Sequence, residues 1–297
     1  MPIMNSSYSF LIPNTLAERI VEQSRLALAQ GALQPMAVEI HTYSQDNLQF
    51  LVRILCPGQR SKKKQNKDAQ PLNPFLPYDR QLWVTDLSPS HLVLLNKYNA
   101  VDRHILIITR EFEEQESLLN PQDFQAAWQV LGEEAGLVFY NSGPLAGASQ
   151  RHKHLQWVPF PLGNGAEDFP LAPLVEQILE SGDGSICPFR QALTALPATA
   201  PSDEWMAHHL FASYQQLLHQ LQLLPQPSAP PQAYNLLLTR TFLMVIPRSQ
   251  ASYQGIHINS LGFAGALLVR DWEHFERLKA IGPLNLLKEV GQGCSFG

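Results

Sequence analysis

The chain has 297 residues, 45% of them hydrophobic, which is enough for buried cores in two lobes that share an interface. Charged residues make up only 16% and the formal net charge is -5, a balance that argues against nonspecific gripping of nucleic acid. No apolar run approaches the roughly 20 residues of a membrane span, and Met1 to Ile12 lacks the basic and apolar regions of a signal peptide.

Cys56, Cys187 and Cys294 lie far apart, so neither a disulfide framework nor a cysteine-based zinc site is expected. A reducing, cytoplasmic setting fits that usage.

Leu16 to Gln30 carries apolar residues at helical spacing and stops at Gly31. Val38 to Ile40 and Leu48 to Leu55 read as strands. Gly58 to Leu82 is polar, Pro-rich and basic, with Lys62, Lys63, Lys64 and Lys67, and reads as a long loop. The lysine cluster suits either a polyphosphate ligand or a plain solvated loop. Strands follow at Leu92 to Leu95 and His104 to Thr109. Asn120-Pro121-Gln122-Asp123 opens a helix that runs to about Leu131.

Leu137 to Tyr140 is a further strand, and it feeds a turn-rich loop from Asn141 to Gln150. The next strand is centred on His152 to Val158. Pro159 to Pro201 reads as a loop-rich seam between lobes. Trp205 to Leu224 is an amphipathic helix, and Tyr234 to Leu238 and Phe242 to Pro247 form a strand pair. Gly262 to Gly265 reads as flexible, Ala266 to Val269 as an apolar run, and Trp272 to Leu278 as a short helix. Strands and helices mix without βαβ alternation, so the expected class is α+β with a largely antiparallel sheet. Residues 1–180 are expected to form a catalytic domain, and 181–297 a C-terminal domain that completes the site.

The chemistry-bearing segment is Arg151-His152-Lys153-His154-Leu155-Gln156-Trp157. On a strand, alternate side chains share a face, so His152, His154 and Gln156 point the same way. Beside them the loop Asn141-Ser142-Gly143-Pro144-Leu145-Ala146-Gly147-Ala148-Ser149-Gln150 offers exposed backbone amides that suit phosphate oxygens. An imidazole held there can attack phosphorus. Alternating histidines can also ligate a metal, but a zinc site needs further ligands and no suitable cysteine is near.

The loop together with His152-Lys153-His154-Leu155-Gln156 resembles the ATP adenylyltransferases, or diadenosine tetraphosphate phosphorylases. These belong to the histidine-triad superfamily, in the branch of galactose-1-phosphate uridylyltransferase. Asn73 to Tyr78, Leu94 to Tyr98, Thr109 to Phe112 and Gly255 to Gly265 resemble the same family. The chain lacks the cysteine pattern of the metal-bearing uridylyltransferases, which favours the adenylyltransferase branch.

The resemblance implies phosphorolysis of diadenosine tetraphosphate to ATP and ADP, reversibly, with His154 as the nucleophile that carries the adenylyl group. It implies a supporting role for His152. A glutamine cannot protonate a leaving group, so Gln156 suits a transferase with a polyphosphate leaving group better than a hydrolase. Asn141, Gly147, Ala148, Ser149 and Gln150 are implied contacts to phosphate or ribose, with Asn96, Lys97 and a cluster lysine such as Lys64 near the nucleotide. Asn259 and Arg270 are implied contacts to the second nucleotide. A carbonyl behind the ring is expected to fix the tautomer of His154.

A divalent cation, Mg2+ by expectation, enters with the nucleotide to offset polyphosphate charge; no protein-bound metal, nucleic acid or membrane partner is expected. Two other readings stay open: a sulfate-linked adenylyltransferase, and a dinucleotide sensor that does not turn over.

Overall fold

The computed structural model describes residues 10–56, 73–163, 165, 167–225 and 232–292. Lys64 and the other lysines of the basic cluster lie outside these residues.

In chain order the strands are β1 (Val38–Gln45), β2 (Leu48–Leu55), β3 (Trp83–Asp86), β4 (His91–Leu95), β5 (Ile105–Thr109), β6 (Gly136–Asn141) and β7 (His154–Pro159). They continue with β8 (Ala192–Ala195), β9 (Tyr234–Leu238), β10 (Phe242–Pro247), β11 (Ser252–Tyr253), β12 (Ile256–His257) and β13 (Ala266–Val269). Among the described residues the α-helices are α1 (Leu16–Ala29), α2 (Pro121–Glu133), α3 (Ala172–Ser181), α4 (Asp203–Gln220), α5 (Ser260–Phe263), α6 (Trp272–Ile281) and α7 (Pro283–Val290). The class is α+β, as expected.

Eight strands form one sheet in the order β3-β4-β5-β7-β6-β9-β10-β8, and every neighbouring pair is antiparallel. Strands from both sides of residue 180 enter it, because β6 pairs with β9. A smaller sheet runs β1-β2-β13, with β13 parallel to β2.

Alternation along the strands sorts the large sheet's side chains into separate cores. Val93, Ile105, Ile107, Leu155, Trp157, Val138 and Tyr140 face one core with α1, α2 and α4. Leu137, Phe139 and Val158 join a second core with the small sheet, α6 and α7, while Leu92, Leu94, Leu106 and Ile108 form a third patch under Phe75.

Three readings are corrected. The strand expected from His152 begins at His154, and His152 makes only an isolated bridge to Glu114. The expected seam contains α3 and β8; Pro173 lies in the first turn of α3, where a proline's missing N–H costs nothing, so it opens a helix rather than breaking one. Gly262 belongs to the ordered turn of α5.

The segment before β7 is pinned from its reverse side. The Lys153 side chain is wholly buried, with Nζ 2.6 Å from Asp123 Oδ2 and 3.0 Å from Glu113 Oε2, and donates to the Leu118 carbonyl. Asp123 also meets His91 Nε2 at 3.0 Å and closes a reciprocal capping box with Asn120 at the start of α2. Burial pushes the Asp123 carboxyl up, but His91 and Lys153 outweigh it and hold it below its ordinary value.

Removing one member of such a pair strands a buried charge, at about 3–5 kcal/mol. Urea denaturation of Lys153→Met is expected to show a loss of that order. Adding Asp123→Asn is expected to recover a large part of it; a double variant no more stable than the single one would mean that the pair is not what holds this segment.

Candidate active site

His154 opens β7 opposite Ile108 of β5, and its backbone is clamped by a buried glutamine. Gln115 Oε1 accepts from His154 N at 2.9 Å, while Gln115 Nε2 donates to the carbonyls of His154 (3.1 Å) and Asn141 (2.8 Å). One side chain thus joins the histidine to the start of the loop.

The imidazole is oriented from within its own segment. His154 Nδ1–H donates to the His152 carbonyl at 2.8 Å, which leaves the Nε2 lone pair bare and without a protein partner among the described residues. His152 has the opposite tautomer: Nε2–H donates to the Thr109 carbonyl at 2.8 Å, and Nδ1 accepts from Asn73 Nδ2 at 2.9 Å. Both rings meet Phe75 edge to face, with centroids 5.6 and 5.3 Å away. Lys153, between them, projects into the buried ion network instead.

Gln156 is held by His104, which the sequence reading placed only at the start of a strand. His104 Nε2–H donates to Gln156 Oε1 at 3.0 Å, and Asn96 Nδ2 lies 3.2 Å from His104 Nδ1. Because its oxygen is taken, Gln156 presents its NH2 as the free end. Burial lowers the His104 pKa to about 4, and the charges of His154 and Arg53 oppose its protonation. Burial likewise lowers His154 to about 4, against the favourable pull of the His152 carbonyl. Both rings are therefore neutral near pH 7.

The loop after β6 is fixed by a second buried knot. Asn141 Oδ1 accepts from Asn235 Nδ2 (2.8 Å), Ser260 N (2.9 Å) and Ser260 Oγ (2.8 Å). Arg248 Nη1 reaches Asn235 Oδ1 at 2.5 Å and also donates to the carbonyls of Ala146 and Ile258. Gly147 sits at φ +92°, and a Cβ there would come within 2.6 Å of the Ile258 carbonyl, so glycine alone lets the loop approach the segment that ends in Asn259. Asn259 caps α5, with Oδ1 accepting from Leu261 N.

The expected site residues therefore separate. His152, His154, Gln156 and Asn96 form one cluster, tied through Gln115 to a second containing Asn141, Gly147 and Asn259. Ala148, Ser149 and Gln150 bridge the two along the chain, with Ser149 exposed. Lys97 stands apart, its Nζ 5.8 Å from the Tyr98 ring centroid, and Arg270 is exposed beside Asp271. His104, Gln115, Asn235 and Arg248 were missed because each acts through a partner remote in sequence. Only His104, two residues before the buried partner of Gln156 on β5, carries a readable hint.

A model of the Ap4A phosphorylase N-terminal domain matches residues 6–177, and one of the ATP adenylyltransferase C-terminal domain matches residues 185–293. The chain is 34% identical over 244 residues to diadenosine 5',5'''-P1,P4-tetraphosphate phosphorylase 2 of Saccharomyces cerevisiae, across 72% of this chain and 73% of that protein. It is 26% identical over 311 residues to Protein APA1 of the same yeast, across 96% and 95%. The crystal structure of yeast Ap4A phosphorylase Apa2 in complex with AMP superposes with a TM-score of 0.76 at 28% identity, covering 96% of this chain and 100% of that one. The Apa2 complex with Ap4A gives 0.75 at 28%, covering 95% and 99%.

The depressed imidazole pKa values have a thermodynamic sign. Between about pH 6.5 and 4 the unfolded chain takes up protons at His104 and His154 that the folded chain refuses, so stability falls as pH drops through that window. Ring-selective NMR titration is expected to keep both residues neutral until near pH 4. Titration of either above pH 6 would contradict the burial argument.

Proposed function

The chain belongs to the Ap4A phosphorylase family, carrying its N-terminal and C-terminal domains in order, and we propose that it cleaves diadenosine tetraphosphate with inorganic phosphate to ATP and ADP through an adenylyl-His154 intermediate. The observation that carries this reading is the bare Nε2 of a neutral His154, fixed by the 2.8 Å hydrogen bond from Nδ1–H to the His152 carbonyl.

In the first step Nε2 attacks the α-phosphorus of one adenylyl group. The Nε2–P bond forms, the bond from phosphorus to the bridging oxygen breaks, and the remaining nucleoside triphosphate leaves as ATP. The imidazole becomes cationic, and the carbonyl on Nδ1–H stabilises that charge. In the second step a phosphate oxygen attacks the same phosphorus, the Nε2–P bond breaks, and ADP leaves. A polyphosphate is a stable anion near neutral pH and needs no proton on departure. That accords with an amide at position 156: with Oε1 occupied by His104, the NH2 of Gln156 is free to donate to a nonbridging phosphate oxygen.

A divalent cation such as Mg2+ enters as part of the nucleotide substrate. Among the described residues no group of three or more His, Cys, Asp or Glu side chains could hold a metal. No helix there is long and apolar enough to cross a membrane. The sparse, widely spaced cysteines suit a reducing cytoplasm, and the acidic balance suits a small-molecule substrate better than a nucleic acid.

Incubation with diadenosine tetraphosphate and Mg2+ is expected to yield ATP plus ADP only when phosphate is added. Without phosphate, at high enzyme concentration, about one ATP per active site and a labelled adenylyl-protein are expected. His154→Ala is expected to lose turnover by about a thousandfold or more while still binding the dinucleotide. Formation of AMP without phosphate would make the enzyme a hydrolase and defeat the argument from Gln156. Activity with sulfate alone would shift the acceptor, and dinucleotide binding with no adduct would favour a sensor.

A further inference from the structure

The two most deeply buried arginines of the described structure are treated very differently. Arg248 is knitted into the protein: Nε donates to the Val290 carbonyl, Nη1 to Asn235 and to the carbonyls of Ala146 and Ile258, and Nη2 to the Gln250 carbonyl. Arg53 is also more than nine-tenths buried, yet among the described residues only its Nη2 finds a partner, the Leu162 carbonyl at 2.7 Å. Its Nε is enclosed with no hydrogen bond at all, and Nη1 makes none among the described residues. The nearest balancing charge is that of Asp102, an exposed residue.

An arginine cannot shed its proton to escape burial. A buried guanidinium needs acceptors on its N–H groups, and Arg248 shows a complete set of them. Arg53 has no such set of acceptors among the described residues, and its charge is left for a ligand to balance.

The fold indicates where. On β2, Phe50, Val52 and Ile54 pack into the core shared with α6, and His41, opposite Val52, touches the Phe275 ring. Arg53 is on the other face of the strand, in a row with Ile40 of β1 and Leu268 of β13, both exposed. The segment that covers it, around Leu162, directly follows β7, which bears His154 and Gln156. Its charge is felt at His104, the residue that holds Gln156.

We propose that Arg53 is an anion-binding residue of this site, presenting Nη1, the nitrogen that is neither enclosed nor bonded among the described residues, to a phosphoryl oxygen of the polyphosphate or of the incoming phosphate. A charge-assisted hydrogen bond from a guanidinium to a phosphoryl oxygen is among the stronger polar contacts. The ligand class rests on the nucleotide-polyphosphate reading above.

The test is calorimetric binding of ATP, AMP and inorganic phosphate, each separately, to the wild type, Arg53→Met and Arg53→Lys. If Arg53 holds the polyphosphate, Arg53→Met is expected to weaken ATP by about tenfold or more and AMP by less than about twofold, with Arg53→Lys between. If it holds the acceptor, the loss falls on inorganic phosphate instead, and the proposal stands with that source. Equal binding of all three ligands by the wild type and Arg53→Met would overturn it. So would a uniform loss that follows a lowered melting temperature, or a wild type that binds none of them. Should Arg53→Met not fold, Arg53→Gln, which can keep the bond to Leu162, replaces it with the same outcomes. A wild type that binds ATP but fails to phosphorolyse diadenosine tetraphosphate would refute the proposed reaction while leaving the ATP-to-AMP contrast readable.

Discussion

The arrangement of the site depends on one hydrogen bond, from the Nδ1–H of His154 to the carbonyl two residues earlier in its own chain. An imidazole has two nitrogens, and only the bond made by one decides which of them keeps its lone pair. That carbonyl has to be immovable, and the surrounding structure makes it so. Lys153 is buried against Asp123 behind the strand, Gln115 grips His154 through both its N–H and its carbonyl, and Thr109 and Asn73 take the two nitrogens of His152. A wholly buried lysine between two site histidines would be wasteful if the segment had only to fold. It makes sense as an anchor for a backbone group that orients a ring.

The same economy governs the neighbouring loop. A single carbonyl oxygen, Asn141 Oδ1, accepts three hydrogen bonds from elements far along the chain, and Gln115 links the backbone of that residue to His154. Loop and nucleophile are therefore referred to a common frame, and neither moves without the other. His104 does the corresponding work for Gln156 by taking its oxygen and so fixing which end of the amide is free.

Much of this was legible in the sequence. Short continuous apolar runs gave β4, β5, β9 and β10 nearly to the residue, and Asn120-Pro121-Gln122-Asp123 marked the start of α2. The H-x-H-x-Q row and the small-residue loop stand out because their partners are neighbours in the chain. What escaped were groups whose meaning is supplied from a distance. Nothing in the sequence near Lys153 points to Asp123 beneath it, and Gln115 lies 39 residues before the His154 that it grips. Helix α3 escaped for a local reason, since Pro173 and the prolines around it look like breakers although one sits where a helix tolerates it. Arg53 lies in a mostly apolar strand, and its incomplete set of partners exists only in three dimensions.

The pairing of β6 with β9 also bears on how the molecule is made. On the ribosome, β6 gains β7 on one side almost at once, but its other edge waits for Asn235, 94 residues after Asn141, to emerge. Through that interval the nascent chain carries an unpaired edge in the middle of what becomes its largest sheet, with the acceptor oxygen of Asn141 still short of its donors. Open edges of this kind recruit other strands. A chain order that completes the loop only after Asn235 and Ser260 have emerged thus also sets the period during which the protein most needs protection from its own copies.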